Sequence, residues 1–154
     1  MKVLLKSVST EIQKVVCGFP GVGKSYFYKI AGLRVKDSDS SLFPKSAFPG
    51  NYIAHIQSVM NDFDHVLVSS HQDVRSALQS VGIPFTLVYP QIELKAEYME
   101  RYKLRGSPDA FLSLMDNNWD AFVGSCMKQV GCNHIVLGSG QFLSDKLSSK
   151  SYGE

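Results

Sequence analysis

Residues 15–31 read VVCGFPGVGKSYFYKIA. An apolar run comes first, a glycine-rich loop follows, and the segment after the loop contains no helix breaker. Residues 18–25, called the phosphate loop below, match the pattern G-x-x-x-x-G-K-[ST] at every fixed position. This order predicts a strand, a tight loop and a helix, with the N-terminus of the helix directed at a bound phosphate group.

Each fixed position of this Walker A pattern has a chemical reason. Glycines let the backbone curl so that successive N–H groups point at a polyphosphate, Lys24 adds a positive charge, and the Ser25 hydroxyl can ligate Mg²⁺. The loop therefore predicts that the chain binds a nucleoside triphosphate, with ATP and Mg²⁺ as expected cofactors. The residues expected to contact the nucleotide here are Gly18, Gly21, Val22, Gly23, Lys24, Ser25 and Tyr26.

The rest of the chain alternates between strand-like and helix-like segments, which predicts an α/β fold. Five parallel strands with helices on both faces would form a three-layer sandwich in a single domain, residues 1–154. Further strands are expected at residues 33–36, 64–69, 84–89 and 134–137. Further helices are expected at residues 52–63, 73–81, 92–104, 107–129 and 141–147.

Composition narrows the partners and the compartment. The net charge is +2, which gives no electrostatic reason to expect a long nucleic acid. No apolar run approaches the roughly 20 residues of a membrane span, and the first residues are too short an apolar segment for a signal peptide. The three cysteines, Cys17, Cys126 and Cys132, fit neither a zinc site nor a disulfide framework. We therefore expect a cytoplasmic protein without a membrane partner.

The absence of two motifs argues against two classes of nucleotide-binding protein. The chain has no Asn-Lys-x-Asp stretch of the kind that reads guanine in regulatory GTPases. The candidate strand at residues 64–69 continues as Ser69-Ser70-His71, without the carboxylate that motor or assembly ATPases usually place there. A small kinase is the class that remains.

Three features together resemble the nucleoside monophosphate kinase and shikimate/gluconate kinase group, and small phage-encoded nucleotide kinases most of all. These features are the phosphate loop Gly-x-Pro-Gly-x-Gly-Lys-Ser, the acidic cluster after the second strand, and an arginine-bearing segment after the fourth strand. The resemblance implies a fold of the P-loop NTPase type with strand order 2-3-1-4-5. It also implies a lid at about residues 98–110.

The resemblance assigns roles to two carboxylates and two arginines. Asp37 would be a catalytic residue on the metal side and Asp39 would hold the acceptor, although both could simply cap a turn. Arg101 and Arg105, four residues apart, would be lid arginines that neutralise charge during transfer. The alternative is an ordinary charged helix face on which Glu97 pairs with Arg101.

Weaker expectations concern two strand ends. The resemblance implies that Gly138 and Gly140, which follow the last strand, pack against the nucleotide base. Ser70 and Arg75, beside the crevice, would bind the acceptor, whereas His71 is as readily an exposed helix start. Trp119 is expected to be a core residue.

The sequence thus predicts ATP-dependent phosphoryl transfer to a small acceptor, with Lys24, Asp37, Arg101 and Arg105 as catalytic residues. The first choice of acceptor is a (deoxy)nucleoside monophosphate. A metabolite hydroxyl, a nucleic-acid end or a modified base is the alternative within the kinase class. An ATP-binding switch or adaptor without acceptor chemistry is the alternative from another class. The oligomeric state is left open.

Overall fold

A computed structural model describes residues 13–31, 35–38 and 45–146. Its strands are β1 (Val15–Gly18), β2 (Val35–Asp37), β3 (His65–Ser69), β4 (Phe85–Pro90) and β5 (Asn133–Leu137). Its α-helices are α1 (Lys24–Ala31), α2 (Gly50–Val59), α3 (Gln72–Ser80), α4 (Lys95–Leu104), α5 (Asp109–Lys128) and α6 (Leu143–Lys146). Short 3₁₀ helices span Lys45–Ala47, Met60–Asp62 and Ile92–Leu94.

The five strands form one sheet in the order β2-β3-β1-β4-β5, and all four pairings are parallel. Both the α/β class and the strand order expected from the sequence are confirmed. In register, Gly18 of β1 pairs with Ser69 of β3 and with Val88 of β4. The phosphate loop therefore leaves the middle of the sheet, between two neighbouring strand ends.

The central strands are continuous apolar runs because both of their faces are covered. Every residue of β1 and β4 is buried, and so are four of the five residues of β3. Crossovers between parallel strands are right-handed in nearly all sheets, and with this strand order that rule predicts α1 on one face and α2 to α5 on the other. In agreement with this, α1 contacts α6, α2 contacts α3, and α4 contacts α5. The arrangement is consistent with a three-layer sandwich.

The starts of α4 and α5 differ from those expected from the sequence. The segment expected to be helical from residue 92 starts with the 3₁₀ helix Ile92–Leu94, and α4 begins at Lys95. The helix expected from residue 107 begins at Asp109 as α5, and Pro108 occupies the cap position without a side-chain capping bond. The Ser107 hydroxyl instead accepts a hydrogen bond from Arg105 Nε at 3.2 Å, which removes it from the helix end.

Helix α5 connects the core to the phosphate loop. Trp119 is 1% exposed, and its ring meets the Phe19 ring edge-on with centroids 5.5 Å apart. Its indole N–H donates to the Ile92 carbonyl at 2.8 Å, so the expected core role of Trp119 is confirmed. Among the described helices, none combines the length and hydropathy needed to cross a bilayer.

Candidate functional site

The carboxyl ends of the parallel strands bring the predicted site residues Gly18 and Asp37 to one edge of the sheet, together with Ser69, which precedes the predicted Ser70. Gly18 ends β1, Asp37 ends β2 and Ser69 ends β3. Ligands of open parallel sheets bind at this edge, in the crevice between strands whose connections run in opposite directions. Here β1 lies at that point, since the chain crosses first toward β2 and later toward β4.

Every carbonyl oxygen from residue 18 to residue 23 accepts a hydrogen bond. Four of the donors lie outside the loop or in the helix that follows it, and two are the loop's own Val22 and Lys24. The carbonyls of Gly18, Phe19 and Pro20 accept from Lys24 Nζ at 2.8 Å, from Val22 N–H at 3.2 Å and from the Tyr102 hydroxyl at 2.8 Å. The carbonyls of Gly21, Val22 and Gly23 accept from Arg101 Nη1 at 2.8 Å, from Leu143 N–H at 2.7 Å and from Phe27 N–H at 3.0 Å.

Three N–H groups of the same loop, in contrast, make no hydrogen bond within the described part of the chain. Those of Gly21, Gly23 and Ser25 donate to no other residue in the described part of the chain. A loop whose carbonyl oxygens are satisfied while these three N–H groups have no acceptor among the described residues is a concave site of positive potential, suited to an anion.

Two glycines make this loop conformation possible. Gly21 has φ of 90° and Gly23 has φ of 94°, in the left-handed region that other residues rarely adopt. A Cβ at Gly21 would also lie 2.9 Å from the Tyr102 ring and 3.0 Å from the Tyr98 ring. The fixed glycines of the pattern are therefore required by backbone geometry and by packing.

The other loop residues predicted to contact a nucleotide differ in exposure. Val22 is fully buried and holds the loop against the core, whereas Ser25 and Tyr26 are exposed at the start of α1. Lys24 begins α1, and its Nζ folds back onto the Gly18 carbonyl. The hydroxyl of Ser25 is thus accessible to a ligand, as the sequence prediction requires.

A cavity of about 740 Å³ opens in front of the loop and is called the loop cavity. It brings together predicted residues of the phosphate loop and of the segment after α4. The residues that line it are Pro20, Gly21, Gly23, Lys24, Ser25, Tyr26, Arg101, Leu104, Arg105, Phe111 and Phe142. Gly138 and Gly140, predicted to pack against a base, do not line it.

The structure gives Arg101 a set of fixed contacts. Its guanidinium donates to the carbonyl oxygens of Gly21 at 2.8 Å and Gln141 at 3.0 Å. It also stacks against two rings, at 4.2 Å from the Tyr98 centroid and 3.9 Å from the Phe142 centroid. Arg101 therefore connects the phosphate loop to the loop after β5.

Glu97 completes this connection. Its carboxylate pairs with Arg101 at 3.0 Å, and it accepts hydrogen bonds from Gly140 N–H at 2.8 Å and from the Ser139 hydroxyl at 2.7 Å. The bonds from Gly140 and Ser139, with the charge of Arg101, lower the pKa of Glu97. The ion pair that the sequence offered as an alternative to a lid role is thus present, and we call Glu97 and Arg101 the α4 clamp.

Arg105 has a different environment. It is exposed at the C-terminus of α4, and it packs loosely over the Tyr102 and Phe111 rings, 5.1 Å and 5.5 Å from their centroids. Gly106, with φ of 79°, follows it directly. Arg105 borders the loop cavity without a hydrogen bond to the phosphate loop among the described residues, whereas Arg101 is bonded to the Gly21 carbonyl.

The predicted carboxylates are only partly described. Asp37 is half-buried at the end of β2 and pairs in register with Leu67. Asp39 lies outside the described residues. Within the described ranges, no three His, Cys, Asp or Glu side chains are grouped closely enough to hold a metal ion by themselves.

A second cavity, of about 380 Å³, lies between the end of β3, the start of α3 and α5, and is called the α5 cavity. One end is polar and the opposite wall is apolar. The residues that line it are Gly18, Phe19, Pro20, Lys24, Ser69, Ser70, His71, Gln72, Arg75, Phe111, Leu114, Met115, Ala121, Phe122, Ser125 and Cys126.

Ser70 and Arg75, predicted to bind an acceptor, both line this cavity. Arg75 is only 3% exposed and forms no ion pair with any described residue. Its nitrogens donate to Ser70 O, Ser125 O and Oγ, and Gln129 Oε1, at 2.7 to 3.3 Å. These bonds occupy four of its five N–H groups and leave a buried positive charge without a counter-charge.

His71 lies at the mouth of the α5 cavity, at the N-cap of α3, with its side chain exposed. Reduced hydration and the positive charges of Lys24 and Arg75 lower the pKa of His71, against the opposing effect of Asp73. The imidazole is therefore neutral near neutral pH. The sequence left two alternatives for His71, an exposed helix start or a residue beside the crevice. In the structure His71 is both.

Sequence reasoning missed the apolar part of the site. Phe111, Leu114, Met115 and Phe122 line the α5 cavity, and Phe111 and Phe142 line the loop cavity. A signal was present for the α5 residues, because spacings of three, four and seven place them along one side of a helix. Phe142 has no such signal, because it reaches the loop through tertiary contacts with Gly23 and Arg101 and through the bond from Leu143 N–H to the Val22 carbonyl.

A comparison with protein-family models finds no match for this chain, and a comparison with curated proteins finds none either.

Proposed function

We propose that this protein is a small kinase of the P-loop NTPase type that transfers the γ-phosphoryl group of ATP to a small acceptor. The observation that carries the proposal is the phosphate loop, in which residues 18–23 have satisfied carbonyl oxygens while the N–H groups of Gly21, Gly23 and Ser25 have no acceptor among the described residues. Phosphate oxygens are the acceptors that such a set of donors fits.

Transfer requires a donor site and an acceptor site that meet at the reacting phosphate. The loop cavity and the α5 cavity share three lining residues, Pro20, Lys24 and Phe111. Lys24 is the cation among them. With ATP in the loop cavity, Lys24 would leave the Gly18 carbonyl and contact the phosphates, next to the polar end of the α5 cavity.

The residues available to a metal suit Mg²⁺. Ser25 offers an exposed hydroxyl and Asp37 a carboxylate at the same edge of the sheet, and oxygen ligands with several retained waters are what Mg²⁺ prefers. Because β3 lies between β1 and β2, Asp37 is suited to contact the ion through water. When bound, Mg²⁺ would neutralise charge on the β- and γ-phosphates.

The arginines would divide the remaining work. Arg101, held by Glu97, would keep the phosphate loop and the loop after β5 in place. Arg105 would swing over the phosphates, neutralise the charge that develops during transfer, and exclude water that would hydrolyse ATP. Gly106 beside it gives the backbone freedom that such a movement needs.

Arg75 favours an anionic acceptor. A buried guanidinium without a counter-charge is unfavourable, and an incoming phosphate or carboxylate would remove that penalty. A (deoxy)nucleoside monophosphate is therefore the first acceptor to test, and the likeness to nucleoside monophosphate kinases leads to the same choice. The three free cysteines are consistent with the cytoplasmic location that we propose, because disulfides are rare in that compartment.

The test is ADP production from Mg-ATP with a panel of nucleoside monophosphates, deoxynucleotides, nucleosides, shikimate, gluconate and DNA ends. We expect turnover that depends on one acceptor class and falls by at least about a hundredfold in Lys24→Ala. Lys29→Ala, an exposed lysine in the last turn of the same helix, is the matched control and should retain activity. Nucleotide binding without turnover on any acceptor would instead favour a switch or adaptor.

A further inference from the structure

We infer, on the basis of the proposed function, that the acceptor is an anion carrying a flat apolar body such as an aromatic ring. The α5 wall of the α5 cavity would select it. The wall consists of Phe111, Leu114, Met115 and Phe122.

The wall is apolar and in part uncovered. Leu114 is 48% exposed and Phe122 is 37% exposed, although both side chains border the α5 cavity. The four wall residues lie along one side of α5, over about three turns from Phe111 to Phe122. A ring placed against them would remove this surface from water, whereas the hydroxyl groups of a polyol would lose their hydration there without finding partners.

The opposite end of the cavity is polar and positively charged. Arg75 retains one N–H of its guanidinium without an acceptor among the described residues. The Ser69 hydroxyl oxygen is buried there and has no hydrogen-bond partner in the same part of the chain. Lys24 and His71 border this end as well, and no carboxylate lines the cavity. An anionic group would satisfy these donors together.

These two ends fix the orientation of the ligand. Its anion would lie toward Lys24 and Arg75, near the loop cavity, and its body would extend along α5. The selectivity would therefore reside on α5. Since polyols cannot use the wall, shikimate- and gluconate-like acceptors are disfavoured relative to ring-bearing anions.

Direct binding by isothermal titration calorimetry, without ATP, tests this. Phenyl phosphate and ribose 5-phosphate carry the same anion on an aromatic ring and on a sugar, and benzyl alcohol carries the ring alone. We expect phenyl phosphate to bind at least about tenfold more tightly than either of the other two compounds. Thymidine 5′-monophosphate distinguishes a nucleotide from other aromatic anions. If it binds more tightly than phenyl phosphate, the ligand is a nucleotide, and if it binds more weakly, the ligand is another aromatic anion.

Two leucines provide the matched variants. Leu114→Gln alters the α5 wall, and Leu104→Gln alters an exposed leucine that borders only the loop cavity. The preference for phenyl phosphate over ribose 5-phosphate should fall to about twofold or less in Leu114→Gln and persist in Leu104→Gln. Binding of the shared phosphate group at the phosphate loop cancels in this ratio.

Equal binding of phenyl phosphate and ribose 5-phosphate by the unaltered protein would overturn the inference. Loss of the preference in Leu104→Gln but not in Leu114→Gln would do the same, because the ring would then lie in the loop cavity. These outcomes are independent of kinase activity. A ring preference without turnover would contradict the proposed kinase but not this ligand class. Turnover that is insensitive to Leu114→Gln would contradict this ligand class but not the proposed kinase.

Discussion

Lys24 makes a hydrogen bond that a nucleotide would have to replace. Its Nζ donates to the Gly18 carbonyl at 2.8 Å, inside the loop to which both residues belong. A polyphosphate offers the ammonium group several charged oxygens in exchange for one neutral carbonyl, and charge-assisted hydrogen bonds are about twice as strong as neutral ones. In the proposed complex, Lys24 would exchange this bond for contacts with the phosphates. Without a nucleotide, the bond to Gly18 stabilises the loop.

Gly21 offers a test of the loop geometry. Gly21→Ala puts a Cβ on a backbone with φ of 90° and within 3.0 Å of two tyrosine rings. We expect a loss of about 1–3 kcal/mol in the free energy of unfolding, together with weaker ATP binding. Urea unfolding followed by fluorescence measures the first quantity, and calorimetry measures the second.

Gly124→Ala is the control for Gly21→Ala. Gly124 lies within α5, and an added Cβ there meets nothing within 4 Å. This substitution should leave ATP binding unchanged and raise stability by about 0.5–1 kcal/mol. If Gly21→Ala behaved like Gly124→Ala, residue 21 would not have the left-handed backbone conformation and close tyrosine contacts of the structure.

Glu97 predicts a pH dependence of stability. Its pKa in the folded protein lies below the usual value of 4.5, so its contribution is fully present above pH 4.5 and is lost as the pH falls through the lowered pKa. Glutamine mimics the protonated side chain. The Tm of the wild type should therefore exceed that of Glu97→Gln near about pH 7, and the difference should vanish toward about pH 3.

Thermal unfolding of both proteins across this pH range gives the result directly. Glu100→Gln, an exposed position on the same helix, should show no such pH-dependent difference. A Tm difference that stayed constant down to the lowest pH would mean that the Glu97 carboxylate does not hold the α4 clamp together.

Helix α4 separates two arginines that look equivalent in the sequence. Four residues place Arg101 and Arg105 on one side of the helix. Only the tertiary contacts show that Arg101 is tied to Gly21 and Gln141 while Arg105 ends the helix in solvent. Sequence spacing predicts that two side chains are neighbours, but it does not say which of them another loop will engage.

Substitution of the two arginines of α4 should therefore affect different quantities. Arg105→Ala should lower kcat by at least about a hundredfold with little change in Tm or in ATP affinity. Arg101→Ala should lower Tm and ATP affinity together, because two loops lose their connection. Steady-state kinetics with the active acceptor, beside thermal unfolding, distinguishes them, and Lys103→Ala serves as the exposed control. Matching effects of the two alanine variants on kcat and Tm would contradict this division of roles.

The fold as a whole was largely predictable, and the site only in part. Apolar runs such as Val15–Gly18 and the breakers between them, including Gly82 and Gly131, identify strands and helix ends by local physics. The strand order came from the resemblance to known kinases. The α5 cavity was not foreseen, because it forms only when α3 and α5 pack across the ends of β1 and β3.

Transfer of isotope-labelled γ-phosphate from ATP, followed in a single turnover with protein in excess, tests the proposed kinase most directly. We expect the label to move into an organic phosphate when a ring-bearing anionic acceptor is present, and to stay in ATP with Lys24→Ala. Label that remains in ATP with every acceptor, or that appears only as inorganic phosphate whether or not an acceptor is added, would contradict the proposed phosphotransferase.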